Sequence, residues 1–171
     1  MSKLDQLIKE FNREAKEIIV ARGIKRITTN KIPFSSPRVN YMLYGGLPRG
    51  RLIEFAGEEG GGKTTTALDI VANAQKLFQK EWENEIHHLE ELESPKKADK
   101  DKLEYLQARG PKQIVYADCE NTLDEEWAQK LGVDLDNIVI IRPMSQTAEQ
   151  IFEMILQMIE TDQVGLVVID S

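Results

Sequence analysis

The chain has 171 residues, enough for about one domain, and its 41% hydrophobic and 30% charged residues are typical of a soluble globular protein. No apolar run approaches the ~20 residues of a membrane-spanning helix, no signal-peptide core opens the chain, and the single cysteine, Cys119, excludes an intrachain disulfide, so we expect a cytoplasmic protein. The net charge of −7 argues against a protein that coats nucleic acid by bulk electrostatics alone.

An amphipathic helix is predicted over the first twenty residues and is expected to end near Gly23. Its apolar positions, at three- and four-residue steps, are Leu4, Leu7, Ile8, Phe11, Ala15, Ile18 and Ile19. The apolar face must pack on its own domain or on a neighbour. Residues 1–50 carry an excess of basic residues and residues 111–171 an excess of acidic ones. The basic N-terminal helix therefore either pairs one subunit with the next or is a solvated helix without a partner.

A short helix and a turn are predicted next. Ser36 and Pro37 are typical of an N-cap and a first helical residue, which opens a helix through Leu43. Residues 45–50, rich in Gly and Pro, predict a turn. The turn leads into a strand expected over residues 51–56.

Residues 57–64 fit the phosphate-loop pattern G-x-x-x-x-G-K-[ST] at every fixed position. They are Gly57, Glu58, Glu59, Gly60, Gly61, Gly62, Lys63 and Thr64. Glycines let backbone N–H groups point at a phosphate, and the N-terminus of the helix predicted over 65–79 adds positive charge. Lys63 would then reach the β- and γ-phosphates, and the Thr64 hydroxyl would bind Mg²⁺.

Residues 80–110 are highly charged and predict an antiparallel helical hairpin, with Ser94 and Pro95 at the start of its second helix. It is either a solvated connection or a docking surface for a partner. The adjacent His87 and His88 lack the additional ligands of a zinc site and are expected to be solvated.

The remaining sequence alternates strands with helices, which indicates a parallel α/β sheet with helices on both faces. Strands are expected over 113–117, 137–141 and 164–169. Capping-box spacing predicts that Thr122 opens a helix to about Leu131 and that Thr147 opens another. The second helix should turn four residues to the core: Ile151, Ile155, Met158 and Ile159.

Two carboxylates are candidates for nucleotide chemistry. Asp170 follows an apolar strand, as in a Walker B motif. We expect that strand to lie beside the strand of residues 51–56. This arrangement would bring Asp170 near Thr64 and Mg²⁺. Glu120 follows another inner strand, where it could activate water for attack on the γ-phosphate or could merely cap a helix. Asp118 is expected to be structural, and the carboxylates beside Cys119 would raise its thiol pKa and argue against a reactive nucleophile.

Four segments together resemble the RecA recombinase family: residues 45–51, the phosphate loop, residues 116–124, and residues 130–138 with the Walker B strand. The resemblance covers most of 36–79 and 111–171, and its mixture of features is similar to phage-type recombinases. It implies a RecA-like P-loop NTPase core over 36–171, with the hairpin as an insertion, and an N-terminal oligomerisation segment over 1–35. It also implies a bacterial or phage-infected host cytoplasm.

The resemblance implies roles at particular positions. Glu120 falls on the family's catalytic glutamate, while Lys63, Thr64 and Thr65 fall on its phosphate- and magnesium-binding residues. Asp124 and Trp127 fall where the family contacts adenine, although tyrosine is typical at the second position. Glu58 replaces the usual proline and would weaken nucleotide affinity unless its side chain turns outward.

The implied function is the ATP-binding portion of a recombinase whose intact form is a DNA-dependent ATPase that forms filaments on single-stranded DNA and exchanges strands. The family pattern continues beyond Ser171 with further strands and both DNA-binding loops, so a fragment, a split gene or an interrupted reading frame is expected. Whether these residues hydrolyse ATP alone stays open. The alternatives are a non-enzymatic module that docks on intact subunits, or another P-loop protein such as a kinase or helicase motor.

Overall fold

A computed structural model describes residues 3–15 and 30–171 of the chain. The chain divides into two compact units, residues 1–30 and residues 31–171. Across the described ranges, no helix combines the length and the apolar character needed to cross a membrane.

Six α-helices and five β-strands are formed in the described ranges. The helices are α1 (Lys3–Ala15), α2 (Pro37–Met42), α3 (Lys63–Glu90), α4 (Lys97–Arg109), α5 (Glu125–Lys130) and α6 (Ala148–Glu160). The strands are β1 (Lys31–Ile32), β2 (Leu47–Pro48), β3 (Gln113–Asp118), β4 (Val139–Ile141) and β5 (Val164–Asp170), and a 3₁₀ turn over Leu135–Asn137 precedes β4.

A three-stranded parallel sheet in the order β4-β3-β5 forms the centre of the second unit. One face packs against α3 through a core that includes Val71, Phe78 and Tyr116, and the other packs against α6 through Val115 and Ile155. Residues alternate between the two faces of a strand, and β3 is buried on both. The predicted α/β architecture, with helices on both faces, is therefore confirmed.

The helix α1 carries several exposed apolar side chains. Leu4, Leu7 and Phe11 are each between 43% and 57% exposed, and they recur at three- and four-residue steps. The amphipathic helix that the sequence predicts is thus present, with its apolar side chains uncovered. Ile18, Ile19 and the expected end near Gly23 lie outside the described residues.

The segment before the phosphate loop contains a two-stranded antiparallel ladder that the sequence did not predict. β1 and β2 pair Ile32 with Leu47, within the turn expected over 45–50. The predicted helix start is confirmed, because the Ser36 hydroxyl accepts a hydrogen bond from the Val39 N–H and Pro37 is the first helical residue.

The strand expected over residues 51–56 is not formed. Residues 52–57 have no regular secondary structure, and Leu52 is fully exposed. A strand needs a hydrogen-bonded neighbour, and within the described ranges β5, the expected neighbour, pairs with β3 alone. The prediction was wrong because an apolar pattern indicates strand propensity but cannot supply a partner strand.

The helix after the phosphate loop is longer than predicted. It begins at Lys63 and continues to Glu90 instead of ending at Gln79. Trp82 donates its Nε1–H to the Leu106 carbonyl over 2.7 Å, and Glu85 pairs with Lys102 over 2.6 Å, so α4 runs antiparallel to the end of α3. A helical hairpin is thus present, with α3 itself as its first arm.

Several helix boundaries differ from the prediction. The N-cap of α4 is Lys96, not Ser94, because the Asp99 carboxylate accepts the Lys96 N–H. The N-cap of α5 is Asp124, not Thr122, and the Thr122 N–H donates instead to Asp118. Thr147 caps α6 as predicted. Along α6, Ile151 and Ile155 are buried and Met158 packs against the core, but Ile159 is 45% exposed, so its predicted core position was wrong.

Candidate functional site

The phosphate loop bends around its own backbone and leads directly into α3. Gly60 and Gly62 have φ values of 72° and 81°, a region that residues with a Cβ rarely adopt. The Lys63 ammonium donates to the carbonyls of Gly57 and Glu58, each at 3.0 Å. The side chain thus closes the loop and places its charge there.

A cavity of about 620 Å³ lies between the loop and the carboxyl ends of two strands. Its lining brings together most of the residues singled out in the sequence: Glu59, Gly60, Gly61, Gly62, Lys63, Thr64, Thr65, Glu120, Asp170 and Ser171. Gly57 and Glu58 are not part of that lining, and the Glu58 side chain is exposed. The Glu58 carboxylate is therefore not part of the cavity wall.

Asp170 lies at the end of β5 with both carboxylate oxygens engaged. Oδ1 accepts a hydrogen bond from the Thr64 hydroxyl at 3.3 Å, and Oδ2 accepts one from the Tyr116 hydroxyl at 2.7 Å. The Cys119 N–H donates to the backbone carbonyl of Asp170 at 3.0 Å. The expected proximity of Asp170 and Thr64 is confirmed, although no strand of residues 51–56 produces it.

The loop after β3 is ordered by a buried carboxylate. Asp118 is 1% exposed, and its two oxygens accept the N–H groups of Thr122 (3.0 Å) and Leu123 (3.1 Å). Those two bonds hold the turn that presents Glu120 to the cavity. Asp118 therefore has the structural role that the sequence predicts, and Glu120 lines the cavity together with the phosphate loop.

Burial and nearby carboxylates raise the pKa of two groups near Asp170, the Tyr116 hydroxyl and the Cys119 thiol. Burial, with a further contribution from the hydrogen bond to Asp170, raises the pKa of the Tyr116 hydroxyl, which stays protonated and acts as a donor. Burial also raises the pKa of the Cys119 thiol, followed by the charges of Asp118, Asp170 and Glu120. The thiol is therefore a poor nucleophile, as expected from its neighbours.

The two residues predicted to contact adenine lie outside the lining of this cavity. The Asp124 carboxylate caps α5 by accepting the Trp127 N–H at 2.9 Å. The Trp127 side chain is 43% exposed, which leaves much of an aromatic surface open to solvent. Their role toward a base stays a prediction.

The residues at the cavity fit a polyphosphate and a divalent cation. The first turn of a helix has N–H groups without intrahelical acceptors, and the N-cap of α3, Gly62, supplies no side-chain acceptor for them. An anion is a natural partner for those donors. Thr64 and Asp170 present the oxygen ligands that Mg²⁺ prefers. Within the described ranges no three His, Cys, Asp or Glu side chains converge on a metal site, so a cation here would share the phosphates as ligands.

Sequence reasoning missed Tyr116 as a partner of Asp170. The available signal was a phenol at an inner position of an otherwise aliphatic strand, because a buried hydroxyl requires a hydrogen-bond partner. Pairing Tyr116 with Asp170 also requires the β3–β5 register, which places Asp118 opposite Asp170 and Tyr116 two residues before that pair.

The chain is similar to bacterial RecA proteins. It is 37% identical to Protein RecA of Streptomyces ambofaciens over 82% of this chain and 28% of that protein. It is 30% identical to Protein RecA of Symbiobacterium thermophilum over 98% of this chain and 38% of that protein. For Protein RecA of Petrotoga mobilis, the identity is 29% over 98% of this chain and 37% of that protein. The chain thus spans less than two fifths of the length of these relatives.

The family profile of the RecA N-terminal domain matches residues 2–87 and 101–171. Apart from Met1, the unmatched residues are 88–100, which contain the end of α3, the connection to α4 and the first residues of α4. Since the matched ranges cover most of the sequence, including every residue that lines the cavity, the chain belongs to the RecA family.

Proposed function

We propose that these residues form the ATP- and Mg²⁺-binding portion of a RecA-like recombinase. The observation that carries the proposal is one cavity lined by the phosphate loop, Glu120 and Asp170. In the intact protein, binding and hydrolysis of ATP would drive filament formation on single-stranded DNA and strand exchange. Single-stranded DNA and further copies of the protein are the partners that follow from this proposal.

Each cavity residue has a task in this proposal. The loop N–H groups and Lys63 would bind the phosphates, and bound Mg²⁺ would neutralise charge on them. Thr64 Oγ1 would bind the cation, and the Thr64 hydroxyl would keep its hydrogen bond to Asp170 Oδ1. Glu120 would accept a proton from the attacking water. Thr65 would contact phosphate, whereas Asp124 and Trp127 would contact the base.

Equilibrium binding of ATP to the chain, with and without Mg²⁺, tests the site. Lys63→Ala should weaken binding by about tenfold or more, because a hydrogen bond to a charged group contributes ~1.5–3 kcal/mol. Lys80→Ala is the matched control, since Lys80 is an exposed lysine of the same helix outside the cavity lining. Equal affinity of Lys63→Ala and the unsubstituted chain would refute the phosphate site.

Hydrolysis in the presence and absence of single-stranded DNA tests the catalytic role. Glu120→Gln should retain nucleotide affinity and lower the hydrolysis rate about 100-fold or more, the usual contribution of a general base. Glu126→Gln is a surface control, because that carboxylate pairs with Lys130 on α5. Unchanged activity of Glu120→Gln would refute the general-base role, and an absence of DNA stimulation in the intact protein would argue against a recombinase.

A second function, subunit docking without hydrolysis, is favoured by the exposed apolar side chains of α1, Leu4, Leu7 and Phe11. Such a surface is typical of a helix that packs on a neighbour. Titration of the chain into an active RecA recombinase tests this function. Dose-dependent inhibition that Leu7→Glu abolishes would support it, and an inert chain would refute it.

A further inference from the structure

The Tyr116 side chain links the hydrophobic core to the carboxylate at the cavity. Tyr116 is 0% exposed and belongs to the core cluster between the sheet and α3, with Leu68, Val71 and Phe78. Its hydroxyl donates to Asp170 Oδ2 at 2.7 Å. We propose that Tyr116 is a positioning residue for the cation site, because its hydroxyl fixes the orientation in which Asp170 meets Thr64 and a bound divalent cation. The inference rests on the proposed nucleotide and cation site.

The β3–β5 ladder explains why this hydroxyl reaches Asp170. Tyr116 is paired with Val168, and Asp118 with Asp170, so Tyr116 lies on the adjacent strand two residues before the level of Asp170. Residues two apart on a strand share a face. The Tyr116 ring and the Asp170 carboxylate therefore lie on one face of the sheet, and packing of the ring determines where its hydroxyl lies.

The hydrogen bond fixes the rotation angle of the Asp170 carboxylate relative to the phosphate loop. The terminal torsion of an aspartate side chain is broad, so an unrestrained carboxylate samples a wide range of angles. With Oδ2 held by Tyr116, Oδ1 remains toward Thr64 Oγ1, 3.3 Å away. A cation ligand that is already oriented loses less rotational freedom on binding. Substitution of residues that orient metal ligands in this way typically weakens metal binding about 10–100-fold.

A simpler account treats the bond as satisfaction of a buried hydroxyl and nothing more. The two accounts predict different measurements. A purely structural bond affects the free energy of unfolding and leaves the Mg²⁺ dependence of nucleotide binding unchanged. A positioning bond changes the Mg²⁺ dependence and leaves the Mg²⁺-free affinity for nucleotide unchanged, because Tyr116 does not line the cavity.

Tyr116→Phe removes one oxygen and keeps the ring. The affinity of a fluorescent ADP analogue should be measured across a Mg²⁺ titration and in EDTA, for the 171-residue chain and its variants. We expect the half-saturating Mg²⁺ concentration to rise about tenfold in Tyr116→Phe, with the affinity in EDTA unchanged. Tyr105→Phe is the matched control, because the Tyr105 hydroxyl of α4 also donates to an aspartate, Asp162, at 3.2 Å on the protein surface. The Tyr105→Phe variant should show the same Mg²⁺ dependence as the unsubstituted chain.

A double-mutant cycle with Asp170→Asn shows whether Tyr116 acts through Asp170. In the Asp170→Asn background, Tyr116→Phe should have no further effect on the Mg²⁺ dependence. A Tyr116→Phe chain that titrates like the unsubstituted one overturns the inference and leaves the nucleotide site standing. A Tyr116→Phe chain that loses its fold by circular dichroism also overturns it, because the hydroxyl would then serve the core. If the unsubstituted chain shows no Mg²⁺-dependent nucleotide binding, the proposed site itself fails.

Discussion

Asp118→Asn tests whether a buried carboxylate holds the loop that carries Glu120. Asp118 is 1% exposed, and each of its oxygens accepts a backbone N–H, one from Thr122 and one from Leu123. An asparagine keeps the shape but offers one oxygen and one NH₂ group. One of the two backbone N–H groups would therefore face another donor.

The cost follows from these two bonds. The two bonds are part-buried, with Thr122 exposed and Leu123 partly buried, so an N–H left without an acceptor here costs about 1 kcal/mol, the lower end of the ~1–3 kcal/mol range, and a bond to a neutral amide is weaker than one to a carboxylate by ~1 kcal/mol. We therefore expect Asp118→Asn to lower the free energy of unfolding by about 2 kcal/mol. The change should also raise the mobility of residues 119–124 and slow any hydrolysis that depends on Glu120.

Urea denaturation of the chain and its variants measures the predicted loss. Asp124→Asn is the matched control: Asp124 accepts a single N–H, that of Trp127, at an N-cap, where asparagine is about as good as aspartate. We expect the control to remain within about 0.5 kcal/mol of the unsubstituted chain. Equal stabilities of Asp118→Asn and Asp124→Asn would refute the argument that both Asp118 oxygens are needed.

Three further changes test packing and ion pairing away from the cavity. Gly165→Ala would place a Cβ 2.6 Å from Phe78 Cε2 and 3.0 Å from Lys112 Cβ. We therefore expect the free energy of unfolding, measured by urea denaturation, to fall by about 1–3 kcal/mol. Gly57→Ala, whose Cβ would have no atom within 4 Å, should be close to neutral. Arg49→Lys should destabilise the chain by about 1 kcal/mol in the same assay, because the guanidinium pairs with both Glu81 oxygens at 2.8 and 2.9 Å and stacks on Phe78. The hydrogen bond from Lys112 lowers the pKa of the Asp162 carboxyl. The stability that this bond contributes is therefore present above the carboxyl pKa of the unfolded chain and is lost as pH falls below about 4. Asp162→Asn should reduce the loss of thermal stability between pH 7 and pH 3, and an unchanged loss would contradict the assignment.

The features that the sequence predicts well depend on residues close together along the chain. The phosphate loop, the Ser36 and Thr147 caps and the apolar strand before Asp170 each arise from a few consecutive residues. The backbone hydrogen bonds and side-chain periodicities behind them repeat within one or two turns, so a local pattern is sufficient. The α/β class followed from the order of these elements.

The errors concern competition between neighbours and contacts between distant segments. Thr122 and Asp124 are both residue types that cap helix N-termini. In the structure the Thr122 N–H donates to Asp118 at the end of β3, and the cap of α5 is Asp124. Ile159 fitted the helical stripe of α6, yet Met158 packs on the core with Ile151 and Ile155, and Ile159 remains 45% exposed. In both cases the local pattern was compatible with two outcomes, and tertiary packing selected one.

The candidate site forms without the strand that was expected to build it, and α3 explains how. The helix begins at Lys63, so its position sets that of Lys63 and Thr64, and its buried residues, including Leu68, Val71 and Phe78, pack on the face of the sheet that carries Tyr116. The same sheet fixes Asp170 through the β3–β5 ladder. Thr64 and Asp170 therefore meet because a helix and a strand share one core, and the strand pairing of residues 51–56 is not required. Disruption of that core, as in Gly165→Ala, should thus weaken Mg²⁺-dependent nucleotide binding as well as stability, whereas a change at the exposed Leu52 should affect neither.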